Sequence, residues 1–178
     1  MQPQRTELPT PGAVFSFRES VREADAGAVR EIVAATGFFN PAELDIAMEL
    51  VTERLGKGPA SGYQFILAEY GATLAGYACF GPISGTLASF DLYWIAVSPH
   101  LQGRGLGRVL LARAEQAIAG AGGRRVYVET SSRTQYAGTR GFYIRSGYRE
   151  DAVLRDFYAP CDDKVIYVKQ LDAQRMQP

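Results

Sequence analysis

The sequence predicts a single α/β domain with a mixed β-sheet, and three observations lead to this prediction. The chain has 178 residues, which is the size of one ordinary domain. Its 47% hydrophobic and 21% charged residues are typical of a folded globular protein. Strand and helix patterns follow one another in the order β-α-α-β-β-β-α-β-α-β-β, without an internal repeat or a linker between domains.

The first elements are one strand and two helices. An alternating run at 14–18 predicts the strand, and apolar residues at helical spacing predict a helix over 25–36. A second helix is predicted over 41–55. Its start is marked by Asn40 and Glu43, because the first side chain can cap the helix and the second can reach back to the capping residue.

The middle of the chain has three strand patterns and one strongly amphipathic helix pattern. Runs at 63–70 and 74–80 are rich in aromatic and apolar residues and predict a hairpin. The run at 90–97 is almost wholly apolar apart from Asp91, which predicts a central strand buried on both faces. Apolar residues at helical spacing predict a helix over 106–119.

The last third of the chain completes the predicted sheet. Short apolar runs predict a strand at 126–129 and two terminal strands at 148–157 and 165–171. A helix is predicted between them at 139–146, where Gly147 stops it.

The two ends of the chain are predicted to lie outside the domain. Residues 1–12 carry three prolines among mostly polar residues, which disfavours helix and predicts a flexible arm. Residues 172–178 are expected to form a flexible tail. The domain is therefore predicted to span 13–171.

Composition and charge exclude several classes of function. Lysine and arginine number 19, as do aspartate and glutamate, so no net positive charge favours nucleic acid or an anionic membrane surface. No apolar stretch reaches the roughly 18 residues of a membrane-spanning helix, and no secretory signal is recognisable, which predicts a cytoplasmic protein. With one histidine and two distant cysteines, no metal site is predicted.

A glycine-rich segment between the central strand and the amphipathic helix is the strongest candidate for a binding site. Its backbone can turn sharply and approach a ligand closely, since Gly103, Gly105 and Gly107 lack a Cβ atom. The positive helix end suits an anion, and Arg104 and Arg108 add charge beside it. We expect a diphosphate ligand here, the alternative being a plain strand-to-helix turn.

The spacing of the glycines decides which cofactor is expected. Counting from Gly103, the dinucleotide fingerprint G-x-G-x-x-G needs a glycine where Arg108 stands, and the Gly-Lys-Ser/Thr end of a phosphate loop is absent. Gln102-x-x-Gly105-x-Gly107 instead matches the pattern Q/R-x-x-G-x-G/A. In this motif the chain resembles the GNAT superfamily of acyl-CoA-dependent N-acyltransferases.

A second motif supports that resemblance. Phe142-Tyr143, followed by Gly147-Tyr148, is similar to the Phe-Tyr-x-x-x-Gly-Phe/Tyr end of the family's last helix. The two motifs lie at the family's usual separation, and the similarity covers 15–171. It implies the GNAT fold, a mixed and mostly antiparallel sheet with helices on both faces, and acetyl-CoA as co-substrate.

The resemblance also implies where acetyl-CoA binds. The end of the central strand splays from its neighbour and offers backbone groups to the pantetheine arm, while the glycine loop holds the pyrophosphate. The pantetheine residues are Ile95, Ala96 and Val97, and the loop residues are Gln102, Gly103, Arg104, Gly105, Leu106, Gly107 and Arg108.

Two residues are predicted to transfer protons. By the resemblance Tyr143 faces the thioester sulfur, and a phenol with a pKa of about 10 stays protonated and can donate to a departing thiolate. Glu129 resembles the catalytic-base glutamate of the GNAT branch that acetylates ribosomal-protein and other N-terminal amines, and partial burial would improve it as a base. The alternative is that Glu129 forms an ion pair, for example with Arg124 or Arg140.

The acceptor side of the site resembles the same branch less closely. Tyr158 is expected to shape the acceptor pocket, and Asp162 or Asp163 to attract a cationic amine, unless these aspartates form an acidic turn exposed to water. This rim favours a small-molecule amine as acceptor. The alternatives are a protein N-terminus or lysine, and, from another class, a non-catalytic CoA-binding regulatory module. The edge of the last strand also offers a surface for a homodimer.

Overall fold

The computed structural model describes residues 14–171, which contain seven strands, four α-helices and three short 3-10 helices. The strands are β1 Ser16–Arg18, β2 Gln64–Tyr70, β3 Thr73–Pro82, β4 Ser89–Val97, β5 Arg125–Ser131, β6 Arg149–Ala159 and β7 Asp162–Gln170. The helices are α1 Ala24–Ala35, α2 Pro41–Lys57, α3 Leu106–Gly120 and α4 Ala137–Arg145. The predicted arm and tail lie outside the described residues.

The strands form one sheet in the order β1-β2-β3-β4-β5-β7-β6. Every neighbouring pair is antiparallel except β4 and β5, which are parallel. Helices α1 and α2 cover one face of the sheet over one buried apolar cluster, and α3 and α4 cover the other face over a second cluster. The predicted fold class, the element order and the helices on both faces are confirmed.

The start of α2 has the predicted capping arrangement. The Asn40 Oδ1 atom accepts a hydrogen bond from the Glu43 N–H at 3.0 Å, and Glu43 Oε2 accepts one from the Asn40 N–H at 2.8 Å. Two donors at the helix start are satisfied in this way. Among the described residues, no helix is long and apolar enough to cross a membrane.

Strand β4 pairs with β5 only over its first three residues. Partners exist from Ser89 with Arg125 to Asp91 with Tyr127, and beyond that point the two parallel strands separate. The expectation that this strand is buried on both faces is therefore wrong for its second half, where Tyr93 is 39% exposed. Apolar residues in this half of β4 line an opening in the sheet. The continuous apolar run in the sequence therefore corresponds to core in its first half and to a cavity wall in its second.

The last hairpin is longer and tighter than predicted. Strand β6 extends two residues beyond the predicted end, and β7 begins at Asp162, three residues earlier than predicted. The chain reverses between them at Cys161, which has φ +65°. The pair Asp162 and Asp163 consequently lies in a strand and not in a turn. Strand β6, and not the last strand β7, forms this edge of the sheet and is almost entirely exposed, which corrects the edge that was expected for a homodimer.

Candidate active site

A cavity of about 680 Å³ opens where β4 and β5 separate. Its walls come from the ends of these strands, the start of α4, the β6–β7 hairpin and the segment that joins α1 to α2. Eight of the residues singled out from the sequence line it: Ile95, Ala96, Val97, Gln102, Glu129, Tyr143, Tyr158 and Asp162. Residues expected to contact pantetheine, to transfer protons and to shape the acceptor pocket thus share one space.

Tyr143 lies on α4 and lines this cavity. Its ring packs against the rings of Tyr148 and Tyr167, whose centroids are 5.5 and 6.4 Å away. The side chain is buried, and burial raises the pKa of the phenol well above its ordinary value. The phenol therefore stays protonated across the neutral range, as donation to a leaving group requires.

Glu129 lies on β5, and its side chain is 47% exposed. Its Oε2 atom is 2.6 Å from the Nζ atom of Lys164 on the neighbouring strand β7. Lys164 is only 14% exposed, and its ammonium lies 3.9 Å from the centre of the Phe157 ring. An ion pair of the kind considered from the sequence is thus present, with Lys164 as the partner instead of Arg124 or Arg140.

The two aspartates at the start of β7 do not form an acidic corner open to an amine. Asp162 is 6% exposed, accepts a hydrogen bond from the Ser131 hydroxyl and lies 3.0 Å from Arg133 Nε. Asp163 does not line the cavity and forms an ion pair with Arg155 at 3.3 Å. Because both carboxylates are held by groups of the protein, their expected attraction of a cationic amine is corrected.

Aromatic side chains form much of the acceptor side of the cavity. Tyr158 lines it, and burial together with the nearby carboxylates of Glu129 and Asp162 raises the pKa of this phenol to about 12. Tyr136 lines it as well and packs against Phe38, with the ring centroids 5.7 Å apart. The sequence analysis did not single out Phe38 or Phe39, which both line the cavity. Two consecutive aromatic residues in the segment between two helices could have indicated a binding surface.

A second cavity of about 490 Å³ lies at the start of α3. Six of its lining residues belong to the predicted loop: Gln102, Gly103, Gly105, Leu106, Gly107 and Arg108. Sequence reasoning missed Arg145 and Ser146, which follow the Phe142-Tyr143 motif and line the same cavity. Val97 and Gln102 line both cavities, so the two spaces adjoin at the end of β4.

The backbone of this loop is suited to an anionic ligand. Gly103 and Gly105 have φ values of +74° and +85°, and a Cβ atom built on either would meet nothing within 4 Å. These positions need glycine for their conformation, and the space beside them is open to a ligand. The Arg108 amide already donates to the Gly105 carbonyl at 3.0 Å, which leaves the earlier first-turn amides of α3 for an anion.

Three of the predicted contacts are limited by where their side chains lie. The side chains of Ala96 and Leu106 are buried in the apolar clusters on opposite faces of the sheet, so these residues offer a ligand only their backbone. Arg104 lies in the loop but lines neither of the two cavities. The remaining positive charge at the loop cavity comes from Arg108 and Arg145.

Comparison with known families shows to which family the chain belongs. The family model of the acetyltransferase (GNAT) domain matches residues 61–150, which include the central strand, the glycine loop and α4. The chain belongs to the GNAT acetyltransferase family. The expected enzyme class, a GNAT-type acetyltransferase, is therefore confirmed, and so is acetyl-CoA as its co-substrate.

Solved structures agree with this membership. A GNAT-family protein from Desulfovibrio desulfuricans is 48% identical to this chain, with a TM-score of 0.87 over 88% of this chain and 99% of that chain. The ribosomal-protein-S18-alanine N-acetyltransferase of Escherichia coli shares the fold at 18% identity and a TM-score of 0.69, over 93% of this chain and 100% of that chain. The protein yncA of Salmonella typhimurium, solved with acetyl-CoA, shares it at 22% identity and a TM-score of 0.68, over 92% and 97%. A search of curated proteins found no match.

Proposed function

We propose that this GNAT acetyltransferase transfers the acetyl group of acetyl-CoA to the primary amine of a small molecule, by direct attack in a ternary complex. The observation that carries the proposal is that Val97 and Gln102 line both cavities. The cavity of the glycine loop therefore adjoins the cavity that Tyr143 and Glu129 line. An acetyl donor held by the loop and an amine in the larger cavity would meet between them.

Several groups of the chain are suited to hold the co-substrate. Leu106 and Gly107, in the first turn of α3, line the loop cavity, where Arg108 and Arg145 add positive charge and the helix start favours an anion. The edge of β4 beyond Asp91 has no strand partner on the β5 side and offers backbone groups to the amides of the pantetheine arm. The bound co-substrate supplies the thioester from which the acetyl group leaves.

Tyr143 and Glu129 then account for the two proton movements. The amine nitrogen forms a bond to the acetyl carbonyl carbon, the carbon–sulfur bond breaks, and Tyr143 donates its proton to the departing sulfur. Glu129 accepts, directly or through water, the proton that the amine must lose. Lys164 holds the Glu129 carboxylate at the cavity, and positioning of the two reactants supplies the rest of the catalysis.

The aromatic lining of the acceptor side supports a small molecule as the acceptor. Phe38 from the α1–α2 segment, Tyr136 just before α4 and Tyr158 from the last hairpin all line the cavity, and the rings of Phe38 and Tyr136 pack against each other. An aromatic lining suits the body of a small molecule.

The rival from another class is a CoA-binding regulatory module without catalysis. Such a module would need the glycine loop but neither a protonated phenol nor a carboxylate at the far end of the space. Both Tyr143 and Glu129 line the cavity, which favours an enzyme.

Competition between two pools of acceptors tests the proposal. The full chain is incubated with acetyl-CoA, a pool of small primary amines and a pool of peptides with free N-termini and lysines, and products are read by mass spectrometry. Acetylated small amines are the expected products. Acetylated peptides alone would assign the protein-acceptor alternative, and bound acetyl-CoA without any acetylated product would assign the regulatory module.

Four further expectations from the sequence stay predictions. They are the cytoplasmic location, the homodimer, the absence of nucleic-acid and membrane partners, and the division into an arm at 1–12, a domain at 13–171 and a tail at 172–178.

A further inference from the structure

Arg133, in the loop between β5 and α4, is held in place by contacts of its backbone, its Nε atom and the face of its guanidinium group. Its backbone N–H donates to the Ser131 hydroxyl at 3.1 Å, and its carbonyl accepts from Arg140 Nη1 at 2.9 Å. The Nε atom lies 3.0 Å from Asp162 Oδ2, and the guanidinium carbon lies 5.5 Å from the centre of the Tyr136 ring. The backbone of Arg133, its Nε atom and the face of its guanidinium group are thus held by the protein, so the guanidinium is preorganised.

The outer edge of the same guanidinium is not used within the protein. Neither Nη atom of Arg133 makes a hydrogen bond to any residue in the described part of the chain. The side chain is 49% exposed and lines the larger cavity. Two parallel N–H donors in a plane are the geometry that matches a carboxylate.

The surroundings of Arg133 leave its charge available to a ligand. Asp162 is buried and also accepts from Ser131, so it orients the guanidinium through Nε and does not cover the Nη edge. Of the described residues that line the cavity, Arg133 is the one cation. Besides Arg133 and Asp162, the charged residues that line the cavity are Glu43 and Glu129.

We propose that Arg133 binds a carboxylate of the acceptor, which makes the acceptor a free amino acid or another small aminocarboxylate. The inference rests on the proposed function and names its substrate class. The carboxylate of the acceptor lies on the Nη edge of Arg133, its amine lies toward Glu129 and Tyr143, and its side chain lies among the aromatic residues. The first residue of a protein chain has an amide in place of that carboxylate and cannot form the charged pair.

Matched pairs of acceptors test this inference. Each L-amino acid of a panel is compared with the amine that its decarboxylation gives, for example methionine with 3-(methylthio)propylamine and phenylalanine with 2-phenylethylamine. Thiol release from acetyl-CoA gives kcat/KM for both members. Because a charge-assisted bidentate pair is lost, we expect the decarboxylated amine to have a kcat/KM about 10- to 100-fold lower than the amino acid.

Variants separate the proposed contact from the stability of the loop. Arg133→Met leaves Asp162 buried without its cation, so the double variant Arg133→Met with Asp162→Asn is made beside it and both are checked by thermal unfolding. In each folded variant the preference for the amino acid over its amine falls to about one. Arg155→Met removes an exposed arginine that pairs with an aspartate of the same hairpin, and it keeps the preference.

A binding measurement supplies a readout that needs no turnover. Calorimetric titration of the same pairs onto the enzyme with CoA bound shows tighter binding of the amino acid in the wild type, and this difference is lost in the double variant. Equal turnover and equal binding of both members overturn the role of Arg133 and leave the acetyltransferase intact. Acetylation of peptides alone, or of no amine while acetyl-CoA binds, overturns this inference together with the proposed function.

Discussion

The side-chain amide of Gln102 donates a hydrogen bond to the carbonyl oxygen of Val97 across 3.1 Å. Val97 ends β4, and Gln102 begins the glycine loop, so this bond closes the turn between the strand and the loop. The same two residues line both cavities. The glutamine of the family motif is thus engaged with the protein itself, at the point where the two cavities adjoin.

Replacing Gln102 is expected to weaken co-substrate binding without abolishing it. Gln102→Ala removes one hydrogen bond, worth about 0.5–1.5 kcal/mol, so the Kd for acetyl-CoA rises about 2- to 12-fold. Gln170→Ala, at the exposed end of β7, is the matched control and keeps the wild-type Kd. An unchanged Kd for Gln102→Ala in calorimetry would show that the bond does not shape the site.

Loss of the Tyr143 hydroxyl is expected to act on the chemical step. Tyr143→Phe keeps the ring packing against Tyr148 and Tyr167 but removes the proton donor, so kcat falls about 100- to 10,000-fold while the Kd for acetyl-CoA changes little. Tyr127→Phe, on β5 and outside both cavities, is the control. If Tyr143→Phe and the control both kept the wild-type kcat, the Tyr143 phenol would not be the proton donor.

The pH dependence of the reaction follows from the burial of Tyr143. Burial raises the pKa of this phenol, so its protonated form persists beyond the ordinary value of about 10. We expect no loss of kcat from phenol ionisation as the pH rises from 7 to about 10. A pH profile of kcat with the best amine tests this, and a decline near pH 8 that disappears in Tyr143→Phe would contradict it.

Glu129 and Lys164 are expected to differ in the size of their effects. Glu129→Gln removes the proton acceptor and lowers kcat/KM about 100-fold or more, whereas Lys164→Met removes only the group that positions the carboxylate and lowers it less. Glu150→Gln on the exposed edge strand β6 serves as the control. Initial rates of thiol release compare the three, and a larger effect of Lys164→Met would reverse the two roles.

Stability should depend on pH through an ion pair between β1 and α1. Burial alone raises the pKa of Asp25, but hydrogen bonds from the Arg18 guanidinium and the Arg22 amide outweigh it and keep this pKa below its ordinary value. A lowered pKa stabilises the fold above the ordinary carboxyl pKa of about 4, and the contribution is lost as the pH falls below it. Asp25→Asn should therefore cost about 2 kcal/mol at pH 7 and much less at pH 3 in urea unfolding. An equal cost at both pH values would contradict this.

The sequence predicted the elements well because their signals are local. The cap at Asn40, the glycines before α3 and the amphipathic spacing of that helix depend on neighbours in the chain, and each is found as expected. The burial of β4 was predicted wrongly from its apolar run, because the separation of β5 from β4 depends on the whole sheet and not on the local sequence.

The partners of the charged residues at the site were harder to predict, because they too depend on the whole sheet. Glu129 and Lys164 are 35 positions apart in sequence and meet only through the β5–β7 pairing, as do Ser131 and Asp162 at 31 positions. Their sequence alone made the two aspartates at the start of β7 resemble an acidic turn. The register between strands, which no local pattern specifies, decides which cation meets which carboxylate.

The central claim is that the glycine loop holds the pyrophosphate of acetyl-CoA and leads its thioester to Tyr143. Calorimetric titration of acetyl-CoA onto the wild type, Gly105→Glu and the control Gly120→Glu tests it most directly. Gly105 has φ +85° and borders the loop cavity, whereas Gly120 lies at the far end of α3, about 22 Å away, without a positive φ. The account predicts binding by the wild type and Gly120→Glu and none by Gly105→Glu. Equal binding by all three, or no binding by the wild type, would contradict it.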